Sequence, residues 1–371
     1  MFARARAVIT AAATSVLAMP AFVMPALVMS ACVLSLAVLP ALADPVADFY
    51  RGRQVDLLVG FSPGSVYDQH ARLLARHLGR FIPGAPVIEV VNLPGGGSLR
   101  ALNHLYNTAP RDGSAIGTFS RNMPLIGLVG GRSGVQFDPR KLTWLGSSSS
   151  FENDAYILIV RKDAPVKTIE EARRQDLPAL VLGGTSEGSN ADAVPIILRD
   201  TIRLHVKQVV GYPDSNATFL AIERGEVHGR TIDLSSLRAS RPDWLKGDYR
   251  VLVQFARVTR HPDFPEVPTA RELAKNEGAR ALIALAELPY TLSRPFAAPP
   301  EVPPERAEAL QKAFLAVHAD PEFLADAAHL RVDVSPIGGA AVLDAIERMA
   351  SAQPELLDYV RRLLADTKGG G

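Results

Sequence analysis

Apolar residues fall in short blocks along the chain, and several blocks end in a glycine- and serine-rich turn that opens an amphipathic segment. The first block, VDLLVG (55–60), runs into FSPGSVYDQHARLLARHLG (61–79). There Ala71, Leu74, Ala75 and Leu78 recur three and four apart, which predicts a helix with one apolar face, while Gln69, Arg72 and Arg76 face elsewhere. Ser65 and Asp68 have the spacing of a capping box, each side chain accepting a backbone N–H bond, and Gly79 is expected to stop the helix. VIEVV (87–91) leads through Asn92-Leu93-Pro94-Gly95-Gly96-Gly97 into a helix opening at Ser98, with Leu99, Leu102, Leu105 and Tyr106 on one side. ALVLGG (179–184) leads through Thr185-Ser186-Glu187-Gly188-Ser189-Asn190 into a helix carrying Ala193, Ile196 and Ile197. VKQVVG (206–211) leads through Tyr212-Pro213-Asp214-Ser215-Asn216 into a helix carrying Phe219 and Ile222.

Strands alternating with helices in this way predict an α/β fold with mostly parallel sheets. Loops at the carboxyl ends of such strands are where ligands collect, and helix N-termini aim unpaired N–H groups at anions. Two of these loops lie early in the chain and two in its middle, so two facing rims are expected. The C-terminal part differs, with a proline-rich PPEVPP (299–304) and then helical segments. KDAPVKTIEEAR (162–173) and RHPDFPEVPTAREL (260–273) are candidate connections between lobes. No internal repeat is visible.

Composition changes this picture at one end. Arg4 and Arg6 precede a long uncharged run of Ala, Val, Leu and Met that closes on Ala41-Leu42-Ala43, which reads as a secretory signal peptide cleaved after Ala43. Pro20, Pro25 and Pro40 interrupt the run, leaving a retained anchor or a later start at Met24 or Met29 as alternatives. Cys32, the single cysteine, lies inside the run, so after cleavage neither disulfides nor thiol chemistry contribute. Forty basic residues against 39 acidic ones, less Arg4 and Arg6, leave a nearly neutral chain with no basic field for nucleic acid.

The glycine loops fail the phosphate-binding test, because no Gly-Lys-Ser/Thr follows them and PGGGSLR lacks the third glycine of a dinucleotide fingerprint. Gly184-Thr185-Ser186-Glu187-Gly188 matches a nucleophile elbow, with Asp233 and His261 downstream in hydrolase order, but Gly188-Ser189-Asn190 intervene before the helix as its apparent cap. The eight histidines show no H-E-x-x-H and no ligand spacing, so no metal is expected, and His70 and His77 read as surface residues. Arg100 and Arg121 each offer a fork for a carboxylate; Arg121 is preferred because the loop after AIGTFS (115–120) should open on the rim of the first two glycine loops.

The ordered series VDLLVGFSPGSVYDQHARLLARHLG, NLPGGGSLRALNHLYNTAPRDGSAIG, LGGTSEGSNADAV, GYPDSNATFLAIERGEVHGR, HPDFPEVPTA and RPFAAPPEVPPERAEALQKAF resembles the substrate-binding receptors of tripartite tricarboxylate transporters, the TctC or Bug-type periplasmic proteins. The resemblance covers nearly all of the chain beyond residue 43. It implies a two-lobed, type 2-like Venus-flytrap α/β protein, with residues 44–155 and 261–371 as the first lobe and 156–260 as the second. It further implies a monomeric periplasmic receptor, not an enzyme, that needs no cofactor and closes over a small organic carboxylate for delivery to membrane permease subunits. Carried over by position, Phe61, Ser62, Gly64 and Ser65 match the first family loop, and Pro94, Gly95, Gly96 and Gly97 the second. Thr185, Ser186, Ser189, Asn190, Tyr212 and Asn216 match the second-lobe wall. Ser98 and Arg121 join these from the loop pattern itself. Ser65-Val66-Tyr67 departs from the family's glycine-threonine-like run and brings a ring and hydroxyl to the rim, or packs the ring against the domain. Two other readings stay open: a serine hydrolase using Ser186, and a receptor that reports to a signalling partner.

Overall fold

The computed structural model describes residues 44–130, 134–185 and 190–365. The leader expected over residues 1–43, and with it Cys32, lies outside the described residues. Among the described residues no helix is long and apolar enough to cross a membrane. Residues 46–371 form one compact unit containing two sheets.

Strands β1 (Gln54–Val59), β2 (Val87–Asn92), β3 (Ala115–Thr118) and β4 (Thr143–Ser147) come from the early chain. The middle supplies β5 (Tyr156–Arg161), β6 (Leu180–Gly183), β7 (Val206–Val209), β8 (Gly229–Asp233) and β9 (Tyr249–Phe255). β10 (Pro295–Ala298) and β11 (Ile337–Gly338) follow much later. The six-stranded sheet runs β11-β4-β10-β3-β1-β2 and the five-stranded sheet β7-β6-β8-β5-β9. Both are mixed. β1 is parallel to β2 and β3, and β6 is parallel to β7 and β8, where the strand-loop-helix units fall. β10 runs antiparallel between β3 and β4, and β5 runs antiparallel between β8 and β9. Antiparallel strands need no crossover helix, so the alternation of elements could not announce them.

Each sheet is buried on both faces. In β1, Val55, Leu57 and Val59 pack on one side with Leu74 and Leu78 of the Val66–Leu78 helix; Leu58 packs on the other with Leu102 and Leu105 of the Leu99–Asn107 helix. The second sheet is sandwiched likewise, with Leu180, Leu182, Val194 and Ile197 on one face and Ile157, Ile159, Phe219 and Ile222 on the other. Burying a side chain of this kind stabilises the fold by about 1.5–3 kcal/mol. Two helices join the two bodies. Glu277–Glu287 gives Leu282 and Leu285 to a core beside the first sheet and Ile283 to one beside the second. Pro354–Ala365 packs Val360 against the former and Tyr359 against both, with the Tyr359 hydroxyl donating to Asp200 at 2.6 Å and Arg361 Nε donating to the Val129 carbonyl at 2.7 Å.

Candidate functional site

The first loop is held by the residues that its sequence marks. Ser65 has extended backbone angles, and its Oγ accepts from Asp68 N–H at 3.3 Å; Asp68 Oδ2 accepts in turn from Gly64 N–H at 2.7 Å. Asp68 also accepts from Arg72 Nε at 2.9 Å and Asn92 Nδ2 at 2.8 Å, and Asn92 donates to the Phe61 carbonyl at 2.9 Å. One buried carboxylate therefore sews the first glycine loop to the end of β2. Burial works against its charge, but the bonds from Arg72, Asn92 and Gly64 outweigh that and hold its pKa below the ordinary aspartate value. Gly79 does not end the helix in a left-handed turn, since its φ is −56° and a short 3-10 turn follows. Glycine is needed there because a Cβ would lie 2.3 Å from the Pro86 carbonyl oxygen.

In the second loop Gly95, Gly96 and Gly97 have φ of 139°, 58° and 62°, conformations that side chains resist. They turn the chain so that Ser98, itself at φ 81°, is fully buried beneath the rim, with its Oγ accepting from Ser120 N–H at 2.8 Å. This ties the second glycine loop to the loop after β3. Tyr67 stacks on Phe61 with centroids 4.3 Å apart, and its hydroxyl accepts from Arg121 N–H at 3.2 Å. It packs and faces the rim at once.

These loops open on a cleft of about 420 Å³ that reaches to the second sheet. Phe61, Ser62, Ser65 and Tyr67 line it from the first loop, Pro94, Gly95, Gly97 and Ser98 from the second, and Arg121 from the third. Gly64 and Gly96 shape the turns without lining the cavity. On the opposite wall stand Thr185 and Asn190, whose side chain accepts from Asn122 Nδ2 at 2.5 Å across the cleft. Ser186 and Ser189 lie outside the described residues. From the next loop Pro213, Asp214 and Ser215 reach the cleft rather than Tyr212 and Asn216. Asp214 caps its helix by accepting from Ala217 N–H at 2.8 Å, while Tyr212 packs against the apolar core.

Three arginines stand at the cleft, of which the sequence pointed to one. Arg121 is 3% exposed, donates to Asp233 Oδ1 at 2.6 Å and to Ser293 Oγ at 3.0 Å, and lies over the Tyr290 ring at 4.6 Å. Arg294, just ahead of β10, approaches Asp233 Oδ2 at 3.7 Å and covers the Tyr67 ring at 4.8 Å. Arg230 enters from β8. Burial alone would raise the pKa of Asp233, but the charges of Arg121 and Arg294 overcome it and keep the carboxylate ionised. Behind it Asp154 is raised by burial and then by Asp233, against hydrogen bonds from Ser235 and Ala155. Arg121 Nε and Arg294 Nε have no hydrogen-bond partner among the described residues. A signal for Arg230 was present in HGRTIDL, where an arginine interrupts a short apolar strand. Arg294 had none beyond its place before a buried strand.

One expectation about other residues is corrected, and the disfavoured hydrolase grouping is not formed. His70 and His77 are buried, not superficial: His70 Nδ1 bonds the Val66 carbonyl and His77 Nε2 bonds Asp326 at 2.9 Å. The fold also brings His77 near Asp320 and Glu322 at ligand spacing, a grouping invisible in the sequence, but Arg80 pairs with both carboxylates and makes it an ion-pair network. Asp233 and His261 do not meet as triad partners. Asp233 is held by the arginines, and His261 Nδ1 accepts from Asp263 N–H at 3.1 Å.

No family profile matches the chain. A UPF0065 protein of Bordetella pertussis is 25% identical over 299 residues, covering 77% of this chain and 83% of its own length. Among solved structures, a TctC solute-binding protein from Polaromonas superposes with a TM-score of 0.60 at 18% identity, over 85% of this chain and 99% of its own. The periplasmic binding protein BugD gives 0.63 at 17% identity over 85% and 98%. The R. palustris protein Rpa4515, solved with adipate, gives 0.63 at 18% over 83% and 97%. These neighbours share the fold of two helix-flanked mixed sheets. In fold the chain is therefore similar to the TctC and BugD binding proteins, and in sequence to the UPF0065 protein.

Proposed function

We propose that the protein captures a small organic carboxylate in the cleft and delivers it to the permease subunits of a tripartite tricarboxylate-type transporter. The observation that carries this reading is the pair of buried arginines, Arg121 and Arg294, sharing the single carboxylate of Asp233 beside two glycine loops at helix starts. Adipate in a protein of the same fold supports a carboxylate ligand. A ligand carboxylate seated on the Phe61–Ser65 and Pro94–Ser98 loops gains about 0.3–1 kcal/mol from each helix terminus and about 1.5–3 kcal/mol from each charge-assisted hydrogen bond. A few such contacts support a micromolar Kd, near −8 kcal/mol.

In this reading residues 44–155 and 261–371 form one lobe and 156–260 the other. They hinge open to admit the ligand and close through Thr185, Asn190 and the Pro213–Ser215 turn. Cleavage after Ala43 releases the receptor into the periplasm, where it works as a monomer without a cofactor.

Thermal-shift measurement of the purified protein against mono-, di-, tri- and aromatic carboxylates tests the ligand class, with calorimetry on each hit. A specific rise in Tm that Ser65→Glu abolishes supports the reading. Absence of any shift across the whole panel would overturn it.

A further inference from the structure

Arg230 differs from the other two cleft arginines in lacking a carboxylate of its own. It is 4% exposed and lines the cleft, yet among the described residues no carboxylate lies within ion-pair distance of it. Its hydrogen bonds go to two carbonyl oxygens at long range, Thr231 at 3.4 Å and Ser215 at 3.3 Å. Its guanidinium lies 5.1 Å from the centre of the Phe219 ring. Arg241 shares that ring at 4.9 Å but is neutralised by Glu223 at 2.9 Å. A buried guanidinium without a counter-ion is an expensive group to leave unsatisfied. Burial accordingly lowers its pKa, against the opposing influence of Tyr156 and Asp233.

Its position along the strand adds a geometric constraint. Arg230 pairs across the sheet with Ile159, whereas Asp233, the centre of the Arg121 and Arg294 cluster, pairs with Tyr156. Three residues of strand separate the two backbones by roughly 10 Å. Arg230 and Ile232 also project to the sheet face opposite Asp233. One carboxylate docked on the first-sheet loops beside Arg121 and Arg294 is therefore placed for that cluster and leaves Arg230 uncompensated on the far wall.

We propose that Arg230 determines the specificity of the cleft, which accepts a dicarboxylate whose second carboxylate pairs with this arginine. The inference rests on the carboxylate-receptor reading and adds the number of charges and the residue that counts them. Phe219, standing beside Arg230, excludes water from the pair and strengthens it.

The test compares each diacid with its own monoamide, which keeps length and shape and removes one charge. Succinate, glutarate and adipate and their monoamides are titrated by calorimetry into the wild-type protein and into Arg230→Gln and Arg230→Lys. The wild type is expected to prefer at least one diacid over its monoamide by about 10- to 100-fold, and Arg230→Gln to erase that preference while still binding the monoamide. Should Arg230→Gln fail to fold, Arg230→Lys still decides, because losing the bidentate fork should shrink the preference several-fold. A preference unchanged in the variant that folds overturns the proposal, as does equal binding of diacid and monoamide by the wild type or tight binding of simple monoacids alone. These outcomes leave the receptor reading standing. Failure of every carboxylate to bind removes both.

Discussion

Asp68 shows how much rests on one side chain, since its carboxylate accepts from the Gly64 amide in the first glycine loop, from Arg72 in the helix behind it and from Asn92 at the end of β2. Asp68→Ala is expected to cost about 2–3 kcal/mol in denaturant unfolding and to weaken carboxylate binding by loosening the first rim. Because its pKa is depressed in the fold, the stability it contributes is complete above the unfolded value near 3.9 and is lost as pH falls through the folded one. His318 acts over a higher window. Burial pushes its imidazole down to about 4, opposed by its bond to the Phe314 carbonyl, so the folded state prefers it neutral. Its contribution is full above about pH 6.5 and declines as pH falls towards 4, and His318→Gln is expected to flatten the fall of Tm over that interval. The capping box was legible because both partners lie within four residues. The burial of His70 and His77 was not, since the helix that carries them is covered by a segment some 240 residues away.

The elements that could be read from the chain were those whose physics is local. Four strand, loop and helix units stand where the apolar blocks end, with Ser65 and Asp214 as caps. Antiparallel β10 was hidden, because four buried residues with no alternation look like any apolar stretch. The second glycine loop owes its shape to three successive positive φ values, so Gly95→Val is expected to destabilise the protein by about 1–2 kcal/mol and to reduce carboxylate affinity more than Gly64→Ala does. The helix Pro354–Ala365 binds both bodies, and a chain stopped at Gln353 would lose Leu356, Leu357 and Val360 and so uncover the apolar core they pack against. Differential scanning calorimetry should then show Tm lowered by more than about 5 °C.

At the scale of the whole molecule, the link between the sheets runs through charges that no stretch of sequence brings near one another. Arg121 follows β3, Arg294 precedes β10, and Asp233 closes β8. Asp233→Asn leaves the two guanidinium groups facing each other without their shared counter-ion. Small-angle scattering should therefore show a larger radius of gyration for the unliganded variant, reversed when a ligand carboxylate takes the missing place. An unchanged radius would mean that the apolar helices alone hold the cleft shut. The central place of β10 has a further consequence, in time rather than space. A ribosome makes residues 54–147 first and 295–298 long afterwards, yet the late strand lies between β3 and β4. Until it arrives no strand joins β4 to β3, and Arg294 is missing from the cleft. The middle body can assemble early, while the floor of the cleft is completed only once most of the chain has been made, so the cleft has its full lining only when the protein is nearly whole.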